Sequence, residues 1–214
     1  SPETFAGKYP DYDAGDQGGV LRMCLRSVEK GEAVREVWSA GWWSGARRVA
    51  SPNCDPRPDG CVPWLVVVHA ISLPPDCFGG LGVEQLFTNT LDPAEHPYYA
   101  EIAGLKVSAH FFIRRDGELV QFVSADERAW HAGASCWRGQ ERCNDFSIGI
   151  ELEGCDTVAF EAVQYGKLAA LVEALRARYP VREVVGHSDI APGRKSDPGP
   201  CFDWASAGFQ VPKA

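Results

Sequence analysis

The chain has 214 residues, with 21 Lys and Arg against 29 Asp and Glu, a formal net charge of −8, and 45% hydrophobic residues. That length fits one domain with room for an added arm, and the apolar share is enough for a real core. The acidic balance excludes a general nucleic-acid binder, which needs a basic face, and no apolar run approaches the roughly 20 residues of a membrane span.

Residues 1–37 read as an N-terminal arm. SPETFAGKYPDYDAGDQGG is rich in Gly, Pro and Asp and is expected to be a flexible lead-in. VLRMCLRSVEKGE then alternates, with Leu21, Met23 and Leu25 against Arg22 and Arg26, and predicts a short strand added to a sheet edge. The domain proper is expected over 38–214. Trp38, Trp42 and Trp43 open it and are expected to anchor against the core. In PWLVVVHAIS the β-branched run Val66–Val68 predicts a buried strand, ending in His69. LPPDCFGG reads as a loop, EQLFTNTL as a turn or two of helix, and HPYYAEIAGLK as a connecting loop with a structural His96.

VSAHFFIRRDGELVQFV predicts a hairpin around Arg115-Asp116-Gly117, with His110 as a core or site-wall histidine. RAWHAG breaks the pattern. Over 147–154, Ile148, Ile150 and Leu152 alternate with Gly149, Glu151 and Glu153, which predicts a strand with one apolar face. FEAVQYGKLAALVEALRARYP predicts an amphipathic helix presenting Tyr165, Leu168, Val172, Leu175 and Tyr179, stopped by Pro180. EVVGH predicts a short strand that delivers His187 into GHSDIAPGRKSDPGP, where Gly and Pro exclude a regular helix. Asp203 could cap one turn of the tail.

The chemistry gathers in a few of these positions. His69 and His187 stand at strand ends and Asp197 in the loop; two imidazoles and a carboxylate leave a fourth tetrahedral position for water. Burying Glu151 inside a strand costs several kcal/mol unless it is paired or protonated. It is either a general base beside the metal or part of a solvated strand face. Lys195 could face a developing oxyanion. HExxH is absent, which disfavours a helix-borne zinc protease. The 8 cysteines include no CxxC pair and read as scattered reduced thiols rather than a zinc site or a disulfide scaffold.

The segments VVVHAISLPP, VSAHFFIRRDGELVQFV, RAWHAG, GQERCNDFSIGIELEG and GHSDIAPGRKSDPGPCFDW resemble the cytoplasmic 1,6-anhydro-N-acetylmuramyl-L-alanine amidases of cell-wall recycling. These belong to the zinc amidase group that also holds phage lysozyme-type amidases and peptidoglycan recognition proteins. The resemblance runs from about Trp42 to Trp204. It implies an α/β fold with a mixed central β-sheet flanked by helices. It implies Zn2+ on His69, His187 and Asp197, Glu151 as general base and Lys195 as oxyanion stabiliser. It also implies an anhydro-muropeptide substrate, with Lys106 and Arg142 clamping peptide carboxylates and Trp130 contacting the sugar, in the cytoplasm. Two positions depart from the family pattern: Ala70 stands where Asn is usual, and Lys106 where Arg is frequent. A periplasmic or phage enzyme acting on intact peptidoglycan, or a non-catalytic peptidoglycan-binding module, are the competing readings; loss of a ligand would mark the last, and every ligand type is present.

Overall fold

The computed structural model describes residues 37–213, so the edge strand expected within 1–36 lies outside the described residues. Six strands form one sheet: β1 (Arg47–Arg48), β2 (Leu65–Ile71), β3 (Phe111–Ile113), β4 (Leu119–Gln121), β5 (Ser147–Glu153) and β6 (Glu183–Gly186). Their order is β6-β2-β5-β3-β4-β1. Only the β3–β4 hairpin pairs antiparallel, so the sheet is mixed. The hairpin closes at Gly117, whose φ of +88° suits the turn that Asp-Gly predicts.

Successive side chains of a strand leave opposite faces of the sheet, and here the two sets meet different layers. Val66, Val68, Phe111, Ile113, Ile148, Ile150 and Leu152 pack with Tyr165, Leu168, Leu171, Val172 and Leu175. Those five come from α3 (Ala162–Arg178), the predicted amphipathic helix. Buried Gln164 ties it to the sheet: its Nε2 donates to the Glu153 carbonyl at 3.0 Å, and its Oε1 accepts from the Glu161 N–H at 2.9 Å. Tyr179 falls just past the helix, where its hydroxyl donates to Asp126 at 2.6 Å.

The other face carries Leu65, Val67, His69, Gly149, Glu151 and Phe112. Leu65 and Val67 meet Ala132, Trp137, Phe146 and Ile190. Phe112, Val120 and Phe122 meet Leu86 and Phe87 of α1 (Gly82–Phe87), and Tyr99 of α2 (Pro97–Ile102). Strand β5 is therefore buried along its whole length and on both faces, which removes the solvated-face alternative for Glu151. Its second cover comes from residues distant in sequence.

Two further expectations are corrected. HPYYAEIAGLK is not all loop: Pro97 starts α2, and His96 Nδ1 accepts from the Tyr98 N–H at 3.1 Å as its cap. The loop after β6 begins with one helical turn, α4 (His187–Ile190), stopped before Pro192. The Asp189 carboxylate accepts from the Gly186 N–H at 2.6 Å across this turn. In the tail, Asp203 Oδ1 accepts from the Ala205 and Ser206 N–H groups and closes a turn without a helix. Of the three tryptophans, Trp43 is buried and Trp38 stacks on it at 5.8 Å, while Trp42 lies under the Arg48 guanidinium at 3.7 Å. Among the described residues, no helix is long and apolar enough to cross a membrane.

Leu168 is fully buried between α3 and the sheet. Leu168→Ala is expected to lower stability by about 2–5 kcal/mol in urea unfolding, through lost burial and the cavity left behind.

Candidate active site

Three parallel strands run side by side beneath one cleft; β2 continues to Ile71, so His69 lies within the strand rather than at its end as expected. β2 lies between β6 and β5, with Val68 opposite Gly186 and His69 opposite Glu151. One residue past Gly186, His187 reaches the level of His69. The pleat turns His69 and Glu151 to the face away from α3. Beyond α4 the chain returns: the Ser188 N–H donates to the Asp197 carbonyl at 2.9 Å and brings the Asp197 carboxylate over both imidazoles.

His69 Nδ1, His187 Nδ1 and Asp197 Oδ2 form a triangle with sides of 3.0, 3.1 and 3.2 Å. Ligands about 2.0–2.1 Å from a tetrahedral metal lie about 3.3–3.4 Å apart, so the triangle is a slightly contracted metal-ligand face. The opposite edges of the imidazoles support the same reading. His187 Nε2 lies 3.0 Å from the Ala132 carbonyl, which can only accept, so the proton of neutral His187 sits on Nε2 and Nδ1 presents a lone pair. His69 Nε2 lies 2.9 Å from His131 Nδ1, and His131 Nε2 lies 3.1 Å from Ser147 Oγ. A lone pair on His187 aimed at a carboxylate oxygen is repulsive unless a proton or a cation lies between them. These donors fit a divalent metal.

Burial lowers the His69 pKa, against the opposing pull of Asp197. Burial opposes the charge of Asp197; imidazoles of His187 and His69 that donate to it, or a cation in their place, hold its carboxyl well below the usual range. Glu151 behaves oppositely. Burial pushes its pKa well above the ordinary value, Asp197 adds to this, and Lys195 works against it. Glu151 Oε1 is 3.9 Å from His69 Nδ1, while Oε2 is buried with no hydrogen-bond partner. A carboxyl oxygen in that state is costly and suits a site that receives a polar ligand.

A cleft of about 340 Å³ holds these groups, lined by His69, Glu151, His187, Lys195, Asp197, Trp130 and an apolar wall from Leu73 to Val107. Lys195 is exposed at the mouth. A second, polar cleft adjoins it and shares Ala70, Ser72, Lys195 and Asp197. Trp130 is half-buried, and its indole N–H donates to Asp55 at 3.1 Å. Lys106 and Arg142 do not join this lining. Lys106 is exposed between Leu105 and Val107, which do, and exposed Arg142 pairs with Asp145 at 3.3 Å.

His110 is fully buried and satisfied: Nδ1 accepts from the Gly149 N–H at 3.0 Å and Nε2 donates to the Glu127 carbonyl at 2.9 Å. Burial, reinforced by the Arg57 guanidinium, pushes its pKa down to about 3. The unforeseen residue is His131, which in RAWHAG reads only as a break. One signal pointed to it. Gly149 sits inside a buried strand, where glycine marks a close approach, and a Cβ there would overlap the His131 ring.

The family profile described as N-acetylmuramoyl-L-alanine amidase matches residues 60–200. The chain is 62% identical over 167 residues to the 1,6-anhydro-N-acetylmuramyl-L-alanine amidase AmpD of Escherichia coli strain K12, covering 77% of this chain and 91% of that protein. It is 61% identical over 167 residues to the AmpD of Citrobacter freundii, covering 77% and 89%. A crystal structure of a selenomethionine AmpD derivative superposes with a TM-score of 0.78 at 58% identity, covering 80% of this chain and 97% of that one. The mixed sheet, the helices on it and the matched sequence agree, and the chain belongs to the N-acetylmuramoyl-L-alanine amidase family.

Proposed function

We propose that this chain is a zinc-dependent amidase of the cytoplasm that hydrolyses the amide between 1,6-anhydro-N-acetylmuramic acid and L-alanine in muropeptides. The observation that carries this reading is the triangle of His69, His187 and Asp197 with the unpartnered Glu151 Oε2 beside it. The substrate class follows from the likeness to AmpD over most of both chains. The catalytic unit is taken as 38–214, with 1–37 as an arm before it.

His69 Nδ1, His187 Nδ1 and Asp197 Oδ2 would hold the zinc ion. Bound there, zinc supplies Lewis acidity toward the scissile carbonyl and brings the pKa of water from 15.7 to about 7. Glu151 Oε2 accepts the proton of the attacking water and passes it to the leaving amine. Burial raises its pKa and a nearby cation lowers it again, a balance that suits a group that must both take and give a proton. Lys195 at the cleft mouth faces the oxygen that gains negative charge; a donor of this kind is worth about 2.7–4 kcal/mol. Trp130, its edge pinned by Asp55, offers a ring face to the sugar. Lys106 and Arg142 meet the stem-peptide carboxylates, including that of diaminopimelate, from the exposed rim. Lys106 does so as a point charge, without the planar fork of arginine.

Glu151→Ala is expected to keep about one zinc per chain and to abolish release of peptide from anhydro-muropeptide, followed by chromatography and metal analysis; undiminished release would remove the base assignment. His187→Ala should lose the metal. Wild-type enzyme is expected to act on anhydro-muropeptide; activity confined to intact sacculi would reverse the substrate assignment. The Glu151 pKa gives a further test in metal-stripped protein. A carboxyl whose pKa is raised by folding binds more protons in the native state, so its contribution to stability falls as pH rises from the unfolded value through the folded one. Glu151→Gln should therefore raise Tm at pH 8 relative to wild type and leave it nearly unchanged at pH 4.

A further inference from the structure

We infer that His131 is a positioning residue that fixes His69 as a metal ligand, through a hydrogen-bond relay running from His69 through His131 to Ser147. The inference rests on the metal reading above. A neutral imidazole has one donor and one acceptor nitrogen. With a cation on the triangle, His69 Nδ1 carries a lone pair, so its proton is on Nε2 and donates to His131 Nδ1 at 2.9 Å. His131 then carries its own proton on Nε2 and donates to Ser147 Oγ at 3.1 Å. Each step has one donor and one acceptor, and the serine hydroxyl ends the relay.

The ring is held from several sides. It meets the His69 ring edge-on, with centroids 5.0 Å apart and planes at 90°. It occupies the space left by the missing side chain of Gly149. Its backbone is fixed as well: the carboxamide oxygen of buried Asn144 accepts from the N–H groups of His131 at 3.1 Å and Ala132 at 2.8 Å. The same peptide segment serves the other ligand, because the Ala132 carbonyl takes the His187 Nε2 proton at 3.0 Å. Arg194 also donates to that carbonyl, at 2.6 Å. One dipeptide, His131-Ala132, thus sets the outer hydrogen bonds of both metal histidines. Outer partners of metal-bound histidines typically change affinity or activity by about 10–100-fold.

The test is a pair of variants in the full chain, read by zinc competition against a chromogenic chelator and by the Tm of the metal-free protein. His131→Phe keeps a ring and removes the acceptor. His131→Asn keeps an acceptor oxygen close to where Nδ1 stands. His131→Phe is expected to weaken zinc binding by about 10–100-fold, and His131→Asn to restore it to within a few-fold of wild type, with similar metal-free Tm values for the two. Equal zinc affinity in wild type and His131→Phe would overturn the inference, as would an Asn variant as weak as the Phe variant. If wild type itself takes up no zinc, the metal reading fails and this inference goes with it; a wild type that binds beside variants that all match it sinks the relay alone.

Discussion

The parallel register of β6, β2 and β5 is the constraint on which the site depends. Glu151 faces His69 because Ser147 faces Leu65, and His187 comes level with His69 because Gly186 faces Val68. In strands of period two, a slip of one residue would send His69 or Glu151 to the face covered by α3. The apolar residues that set this register are Val66, Val68, Ile148, Ile150 and Leu152, all inaccessible to solvent. Core packing on one face thus aims the polar groups on the other.

Those polar groups oppose folding. His69, His110, Glu151 and His187 are all buried, and Glu151 has an oxygen with no partner. Burying such groups costs free energy unless each finds a complementary partner. His110 finds two backbone partners and is quiet. Glu151 Oε2 does not, and the lone pair of His187 Nδ1 meets a carboxylate oxygen; that difference separates a structural histidine from the groups that face a ligand. Arg57 is a third case. Its guanidinium is mostly buried without a carboxylate, donates to the carbonyls of Asn144, Asp145, Ala125 and Ser147, and is pushed down to about 10 by burial. It braces the start of β5 and the segment that carries Asn144, and so supports the cleft from behind.

How much of this was legible in the chain depended on the range of the interactions. The Val66–Val68 run, the Asp-Gly hairpin and the α3 spacing are local patterns of core burial, and each element forms where its pattern predicts, with β2 running past His69 to Ile71 and α3 stopping before Tyr179. α2 is shorter than two full turns of amphipathic pattern, and its Pro97 start resembles a loop breaker as much as a first helical residue. The turn at His187 is hidden for the same reason, among glycines and prolines that end it at once. Glu151 could not be decided between a solvated face and a buried base, because the alternation of β5 reports only the α3 side. Its other cover, His131 with residues 132–146, arrives from a non-local loop. His131 is opaque because its partner His69 is 62 positions away.

The departures from the family pattern fall on a different part of the molecule from the triangle. Ala70 is the residue after His69, yet the strand turns it to the opposite face, where it packs beside the α3 core and reaches the edge of both clefts. An alanine there offers the rim no hydrogen-bonding side chain and leaves His69, one pleat away, where the register holds it. Lys106 is also on the rim and exposed. The interactions that hold the His69, His187 and Asp197 triangle come from the sheet, from Ala132 and from the returning loop, none of which involves position 70 or 106. Changes at these two positions therefore leave the nitrogens and oxygen of the triangle in place, because Ala70 shares a strand with His69 but not a face, and Lys106 lies outside the strands.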